Sequence, residues 1–391
     1  MTENGRLEKE LCWEIGLVQQ CKHGQKICGD HIVITQDGDR VRIVLSDGLG
    51  SGVQANIAST LTATLVSGMT EKAFPVEDCL RAMTAILPTT KKQNLAYATF
   101  TLVSAEGHRV RLVQVENPPA VFLRDGVSLD YPYTLRTVEE KTLQESVLTM
   151  KSGDMLVLFS DGVSEAGRGV TTYAGWDRRE MEDYLFRSIE PDEHARRVAA
   201  SIVSTVQALD LFEYHDDTTV AVLRLRERLK VNLLVGPSDG WEPASEVLQR
   251  FFALEGQHAI CGKGASEAAA RFLGKKRIVL PGSDDGTPSV SVVEDIDLCV
   301  EGEETFREAV AAIGRSRLDG ILSLVPVEAL DGISQLSDLL AEQASDVAIL
   351  FCPTDSAQGA SSPDADRKSE LVLQLQKYLS EMGKTVILSY C

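Results

Sequence analysis

The sequence predicts a two-domain protein: an α+β unit over residues 1–228, followed by an α/β unit with a largely parallel sheet over residues 229–391. Two patterns predict this. In the first part, β-branched runs come in pairs around Gly-containing turns and are followed by pairs of helical segments. In the second, buried strand-like runs alternate singly with amphipathic helical patterns, the arrangement that parallel sheets require. A chain of 391 residues has room for two or three domains, and its 43% hydrophobic content can fill ordinary packed cores.

The first part opens on a hairpin, in which His31 to Thr35 and Arg40 to Leu45 flank Asp37-Gly38-Asp39. Ser51 to Met69 follows, rich in Ala, Ser, Thr and Gly, a helix able to pack closely on a sheet, with Pro75 to Leu87 as its antiparallel partner. Tyr97 to Ser104 and Arg109 to Val115 form a second hairpin around Glu106-Gly107. After Asn117-Pro118-Pro119-Ala120 come Val121 to Leu123 and the segment beyond Asp125-Gly126. Val147 to Met150 and Met155 to Phe159 are expected to pair across Ser152-Gly153-Asp154. Helices are expected at Arg178 to Ser188 and Pro191 to Leu209, the second with Pro191 and Asp192 in its first turn, and Thr218 to Leu225 as the closing strand.

In the second part, strands are expected at Val231 to Val235, His258 to Cys261, Ile321 to Val325, Val347 to Cys352 and Thr385 to Leu388. Helices are expected at Glu242 to Leu254, Ser266 to Leu273, Glu304 to Ile313, Leu336 to Gln343 and Arg367 to Met382. The turn Cys261-Gly262-Lys263-Gly264-Ala265-Ser266 reads either as a plain tight turn or as an anion site at a helix N-terminus, which would make a small-molecule ligand of this domain an expectation.

The formal net charge of −19 argues against broad binding to nucleic acid or to an anionic membrane surface, both of which reward clustered Lys and Arg. Met1 to Glu10 is polar, without the apolar centre of a signal peptide, and no apolar run reaches the length of a membrane span. A cytoplasmic protein is expected. Its eight cysteines form no Cys-x-x-Cys and read as reduced, mostly packed thiols, with zinc binding or redox chemistry as the alternative; Cys28, two residues before Asp30, reads as a packing residue or as a redox influence on the site at its neighbour.

Four aspartates carry the functional signal: Asp30 in Cys28-Gly29-Asp30, Asp47 in Ser46-Asp47-Gly48-Leu49-Gly50-Ser51-Gly52, Asp161 in Ser160-Asp161-Gly162-Val163-Ser164-Glu165, and Asp216 in His215-Asp216-Asp217-Thr218-Thr219. Each stands at the end of a strand-like run. Hard divalent cations take oxygen ligands, and a two-metal site that attacks phosphate needs several carboxylates converging from separate strands.

The order and wording of these motifs over roughly residues 5 to 228 resemble the SpoIIE/RsbU branch of the PP2C-type, metal-dependent serine/threonine phosphatases. The resemblance implies a PP2C-like α-β-β-α sandwich with the aspartates along one edge. It implies two Mn²⁺ or Mg²⁺ ions, with Asp47 bridging them beside the Gly48 carbonyl, Asp161 and Asp216 completing one ligand set, and Asp30 serving the other. It implies hydrolysis of phosphoserine or phosphothreonine on a phosphorylated protein of bacterial signalling, such as an anti-sigma-factor antagonist-like protein. Asp217 fits either a hydrogen-bonding partner of metal-bound water or a turn residue; His215 fits a general acid or a surface residue. Ser164 and Glu165 fit either the substrate mouth or a strand-to-helix connection.

The chain departs from the wider family in two places. Leu49 stands where many PP2C enzymes carry a histidine after Asp-Gly, and no phosphate-clamping basic residue is evident. Two other readings stay open on the sequence: a binding module that keeps the fold with little or no turnover, and a C-terminal domain that is the main small-molecule-binding or enzymatic unit. A homodimer is open as well.

Overall fold

A computed structural model describes residues 10–86, 98–237, 241–280, 290–319, 331–353 and 363–391. The chain divides into two units, Met1–Glu227 and Arg228–Cys391.

Unit one contains β1 (Leu11–Gln20), β2 (His31–Asp37), β3 (Arg40–Gly48), α1 (Val53–Glu71), α2 (Val76–Ile86), β4 (Ala98–Glu106), β5 (Arg109–Val115), β6 (Val121–Arg124), β7 (Val127–Leu129), β8 (Thr134–Val138), β9 (Lys141–Thr149), β10 (Met155–Phe159), α3 (Asp161–Ser164), α4 (Arg178–Ser188), α5 (Ala195–Leu209) and β11 (Thr218–Glu227). One sheet runs β1-β11-β10-β6-β7 and the other β2-β3-β4-β5-β9-β8, all neighbours antiparallel.

Alternation along the strands builds four layers. From β3, Ile43 and Leu45 enter the core between the sheets with Leu156, Leu158 and Leu223, whereas Val44 faces outward among residues of α1 and α2. In β10 and β11 the outward set, Val157, Phe159, Val220 and Val222, packs with Met181, Leu185, Val198 and Ile202 of α4 and α5. Burial on both faces explains why these strands read as near-continuous apolar runs. Helix α1 buries Ala55, Ala58, Ser59, Thr62, Ala63, Val66 and Ser67, a stripe at three- and four-residue spacing whose small side chains permit close approach.

Strand β1 has no counterpart among the sequence expectations. It brings Glu14 to the head of α5, where its Oε1 accepts from the Ala195 amide at 3.1 Å and lies 3.1 Å from His194 Nδ1. The helix therefore starts at Ala195, and Pro191 and Asp192 lie in the turn before it, not in its first turn. The approach of β1 to α5 is close: a Cβ on Gly16 would stand 2.2 Å from the Ala195 carbonyl carbon and oxygen. Since both obstructing atoms are backbone, Gly16→Ala is expected to cost about 1–3 kcal/mol by forcing strand and helix apart. Calorimetry should show it as a lower melting temperature, and an unchanged melt would contradict the contact.

The expected pairing of Val147–Met150 with Met155–Phe159 does not form: β9 pairs with β5 and β8, while β10 pairs with β11 and β6 in the other sheet. The turn between them is bound to the second sheet. Asp154, 2% exposed, is held by Arg124 Nη2 at 2.6 Å, and the Gly153 amide donates to the Leu225 carbonyl at 2.7 Å. At the β6–β7 turn, Asp125 (φ 51°) and Gly126 (φ 75°) both take the left-handed conformation that a tight hairpin of this kind demands.

Unit two contains β12 (Lys230–Val235), α6 (Ser245–Phe252), β13 (Gln257–Cys261), α7 (Lys263–Leu273), β14 (Arg277–Val279), β15 (Val290–Val293), β16 (Leu298–Val300), α8 (Glu303–Asp319), α9 (Gly332–Ser337) running into a π-helical turn (Asp338–Gln343), β17 (Asp346–Phe351), α10 (Pro363–Glu381) and β18 (Thr385–Tyr390). The sheet order is β14-β15-β16-β13-β12-β17-β18, with parallel ladders from β16 to β18 and antiparallel ones joining β14, β15 and β16. Leu233 and Ile349 face a core that includes Phe306, Leu340 and Leu375; Leu234 and Ile260 face the opposite one with Leu248, Phe251 and Ala269.

Helix α7 begins at Lys263 rather than Ser266, so the Gly262 turn is its N-cap. Gly262 has φ 114°, and a Cβ there would stand 2.7 Å from the Gly236 carbonyl oxygen, so close packing accounts for the glycine. The helix expected at Leu336–Gln343 starts earlier, at Gly332, where Asp331 accepts from the Ser334 amide at 2.7 Å. Ile321 to Val325 lies outside the described residues. Cys352 and Cys391, read above as reduced thiols, form a disulfide across 39 residues, whereas Cys12, Cys21, Cys28, Cys79, Cys261 and Cys299 take no part in a disulfide. No helix among the described residues is long and apolar enough to cross a membrane.

Candidate metal centre

Register brings the four motifs to one end of the paired sheets. In β3, Asp47 and Gly48 stand opposite Thr99 and Ala98; in β1 and β11, Gln20 stands opposite Thr218; Phe159 of β10 stands opposite Val220, two residues before Asp161. Asp30 directly precedes β2, whose first residue, His31, pairs with Ser46. The chain reverses at each of these places, so side chains far apart in sequence meet.

Asp30 is 2% exposed and fixed from the second sheet: Thr219 Oγ1 donates to its Oδ2 at 2.7 Å, and Gln19 Nε2 donates to Thr219 Oγ1 at 3.0 Å and to the Asp30 carbonyl at 3.2 Å. Its Oδ1 has no hydrogen-bond partner among the described residues. The Asp161 amide lies 3.5 Å from Asp47 Oδ2, which brings the two carboxyls close enough to perturb one another. Asp216 accepts from the Asp217 amide at 2.9 Å and faces Lys22 Nζ at 3.9 Å. Asp217, 3% exposed, accepts from the Lys22 amide at 3.0 Å through Oδ1, and its Oδ2 is unpartnered among the described residues.

The electrostatics are those of crowded acids, of which Asp30 is buried, Asp47 and Asp216 partly exposed and Asp161 exposed. Burial above all, then the charges of Asp30 and Asp161, pushes Asp47 up to about 9. Burial pushes Asp30 up to about 7 against the hydrogen bonds of Thr219 and Ser160, with Asp217 and Asp161 adding to the rise. Asp161 and Asp216 are also raised, chiefly by burial, although Lys22 opposes the rise at Asp216. Uncompensated negative charge, an orphaned buried carboxylate oxygen and an all-oxygen donor set fit hard divalent cations.

Gly48 has a packing role of its own. A Cβ there would meet the Ala55 carbonyl oxygen at 2.2 Å, so the glycine lets the first turn of α1 close onto the end of β3. Gly162 likewise passes the Asp217 carbonyl, where a Cβ would come within 2.2 Å.

Other motif residues divide between their open readings. His215 turns to the buried Asp210, with Nδ1 at 3.3 Å and its amide donating at 3.0 Å, so it takes the surface role. Ser164 Oγ donates back to the Asp161 carbonyl at 3.2 Å, and exposed Glu165 pairs with Arg168 at 2.6 Å, as a strand-to-helix connection would have them. Leu49 is 55% exposed. Sequence reasoning missed Lys22, Gln19 and the contact of Thr219 with Asp30. Their partners lie up to 200 residues away, and without β1 nothing local points to them.

The class follows from this arrangement together with sequence comparison. A sequence model of the family "Stage II sporulation protein E (SpoIIE)" matches residues 37–226, and that part of the chain is a SpoIIE-type PP2C phosphatase domain. Stage II sporulation protein E of Priestia megaterium is 22% identical over 218 residues, 54% of this chain and 36% of that protein. Phosphoserine phosphatase RsbU of Bacillus subtilis is 21% identical over 243 residues, 56% of this chain and 65% of that one. The chain thus spans about a third of one relative and under two thirds of the other. Among solved structures, the PP2C phosphatase domain of Bacillus subtilis SpoIIE with a fragment of its regulatory domain aligns with a TM-score of 0.48 at 20% identity, covering 56% of this chain and 65% of that chain.

Proposed function

We propose that residues 1–228 form a metal-dependent protein phosphatase that hydrolyses phosphoserine or phosphothreonine on a regulatory protein, and that residues 229–391 serve it as a ligand-sensing or partner-binding domain. The observation that carries this reading is the convergence of Asp30, Asp47, Asp161 and Asp216 from four chain reversals onto one end of the sandwich. Asp47 and Asp161 would hold cations in common, Asp216 would join Asp161, and Asp30 would complete the set. Bound there, two Mg²⁺ or Mn²⁺ ions supply a water acidic enough to attack phosphorus and positive charge for the phosphoryl oxygens.

The remaining work falls to residues that position these carboxylates. Thr219 and Gln19 fix the rotamer of Asp30, so one oxygen is committed and the other points free. Lys22, half-exposed beside Asp216, supplies positive charge at the rim where a phosphate dianion would enter. With Leu49 exposed after the second motif and His215 turned toward Asp210, neither position offers a proton to the leaving serine alkoxide, which then takes one from solvent or from the protein substrate.

The RsbU relative is by name a phosphoserine phosphatase, and this supports the choice of substrate class. With Mn²⁺ or Mg²⁺, the full chain is expected to release phosphate from phosphoserine and phosphothreonine peptides, to stop when EDTA is added, and to recover when metal is restored. Turnover that persists in EDTA, or none with either metal on any phosphopeptide or phosphoprotein, would overturn the reading.

A further inference from the structure

The loop between β1 and β2 brings two thiols against Asp217, which directly precedes β11, and so forms a second group of ligand atoms beside the motif aspartates. Cys21 Sγ, Cys28 Sγ and a carboxylate oxygen of Asp217 all lie within 4.8 Å of one another, and among the described residues this is the set of three or more His, Cys, Asp or Glu that meets that closeness. We propose that Cys21, Cys28 and Asp217 form a binding site for a soft or borderline divalent cation, Zn²⁺ in chemical class, distinct from the all-oxygen site for Mg²⁺ or Mn²⁺.

Three observations carry the proposal. The first is distance. With Zn–S near 2.3 Å and Zn–O near 2.1 Å, tetrahedral ligand atoms stand about 3.5–3.8 Å apart, so the three donors need close by only about 1 Å. The second is Asp217 itself. It is 3% exposed, its Oδ1 is engaged by the Lys22 amide, and its Oδ2 is a buried oxygen without a partner among the described residues. An unpaired buried carboxylate oxygen is expensive, and a cation is what relieves it. The third is the frame. Asn56 Nδ2 holds the Cys28 carbonyl at 2.8 Å, the His23 amide donates to the Tyr214 carbonyl at 2.8 Å, and Gly24 turns the loop at φ 78°. Donors presented on a fixed loop lose little freedom on binding.

The donor set decides the metal. Two thiolates favour zinc over Mg²⁺ or Mn²⁺, which prefer carboxylate, carbonyl and water oxygen. Three protein ligands leave a fourth position open, and Cys21, only partly buried, gives access from solvent. Binding is balanced by the loss of one proton from each thiol, so affinity rises with pH. The site adjoins the other one covalently, since Asp217 follows Asp216 and Cys28 stands two residues before Asp30. Its occupancy would therefore stiffen two proposed ligands of the hard-metal site.

Cobalt(II) is the probe, because thiolate coordination gives it a charge-transfer absorption that oxygen coordination does not. In the reduced full chain, cobalt is expected to produce that band with one equivalent per chain and to be displaced by Zn²⁺. The band should vanish in Cys21→Ser, and Asp217→Asn should weaken cobalt and zinc by about tenfold or more. Asp47→Asn, which alters only the hard-metal site, should leave the band intact; its loss there would mean that the two sites are one. A second measurement needs no variant: Zn²⁺ should slow alkylation of Cys21 by iodoacetamide, read by peptide mass. Absence of the thiolate band, a band unchanged in Cys21→Ser, or alkylation indifferent to Zn²⁺ would overturn the proposal.

Discussion

Asp47→Asn is expected to lower phosphate release by about a thousandfold while leaving the protein folded. The size follows from the role proposed for Asp47: metal-centred charge stabilisation contributes several kcal/mol to such a transition state, and each 1.36 kcal/mol is a factor of ten in rate. The survival of the fold follows from the environment. Asp47 is pushed up to about 9 by burial and by Asp30 and Asp161, so in metal-free protein at neutral pH it is already largely the neutral acid that asparagine imitates. Asp161→Asn should behave alike. His215→Ala should change the rate by less than about threefold, because the imidazole faces Asp210 rather than the aspartate cluster. Near-normal turnover by folded Asp47→Asn would sink the carboxylate assignment, and a thousandfold loss in His215→Ala would return that histidine to general acid.

The sandwich was legible where local chemistry decides structure. Gly38 at the β2–β3 turn, with φ 60°, and Asp125-Gly126 at the β6–β7 turn each close a hairpin at the register their neighbours show. Strand partners were not legible where a glycine turn joins strands of different sheets. Met155–Phe159 follows Ser152-Gly153-Asp154 in the manner of a hairpin, yet Arg124 binds Asp154 and carries the chain into the other sheet. An arginine 30 residues upstream decides that pairing, and no local pattern reveals it. The same holds at the metal centre. Three of the motif aspartates announce themselves by their glycines and Asp216 by the Asp-Thr-Thr that follows it, whereas Gln19 and Lys22 acquire meaning only when β1 is laid antiparallel on β11. In unit two, short strands such as Arg277–Val279 and Leu298–Val300 are too brief to stand out as periodic signals.

Metal-free protein is expected to lose stability as pH rises from about 5 to 9, and divalent metal should restore it. Asp47 sits at about 9 and Asp30 at about 7 in the folded state, both above the value of about 3.9 for an aspartate in an unfolded chain. A raised folded value means that the native state holds the proton more tightly. The resulting stability is complete below about pH 4, fades for Asp30 as pH passes about 7, and fades for Asp47 as pH passes about 9. Each unit of upward shift corresponds to about 1.4 kcal/mol, and in a unit of this size about 1 kcal/mol moves the melting temperature by about 2–4 °C. A fall of more than about 5 °C between pH 5 and pH 9 in EDTA is therefore expected for the phosphatase unit. Mn²⁺ should reverse it most strongly at high pH, where ionised carboxylates no longer resist the cation. Asp47→Asn supplies the control: with one titrating group gone, its melting temperature should fall less steeply with pH. A metal-free melting temperature that is flat from pH 5 to 9, or an identical slope in Asp47→Asn, would show that the negative charge at the sandwich edge is relieved by something other than a bound cation.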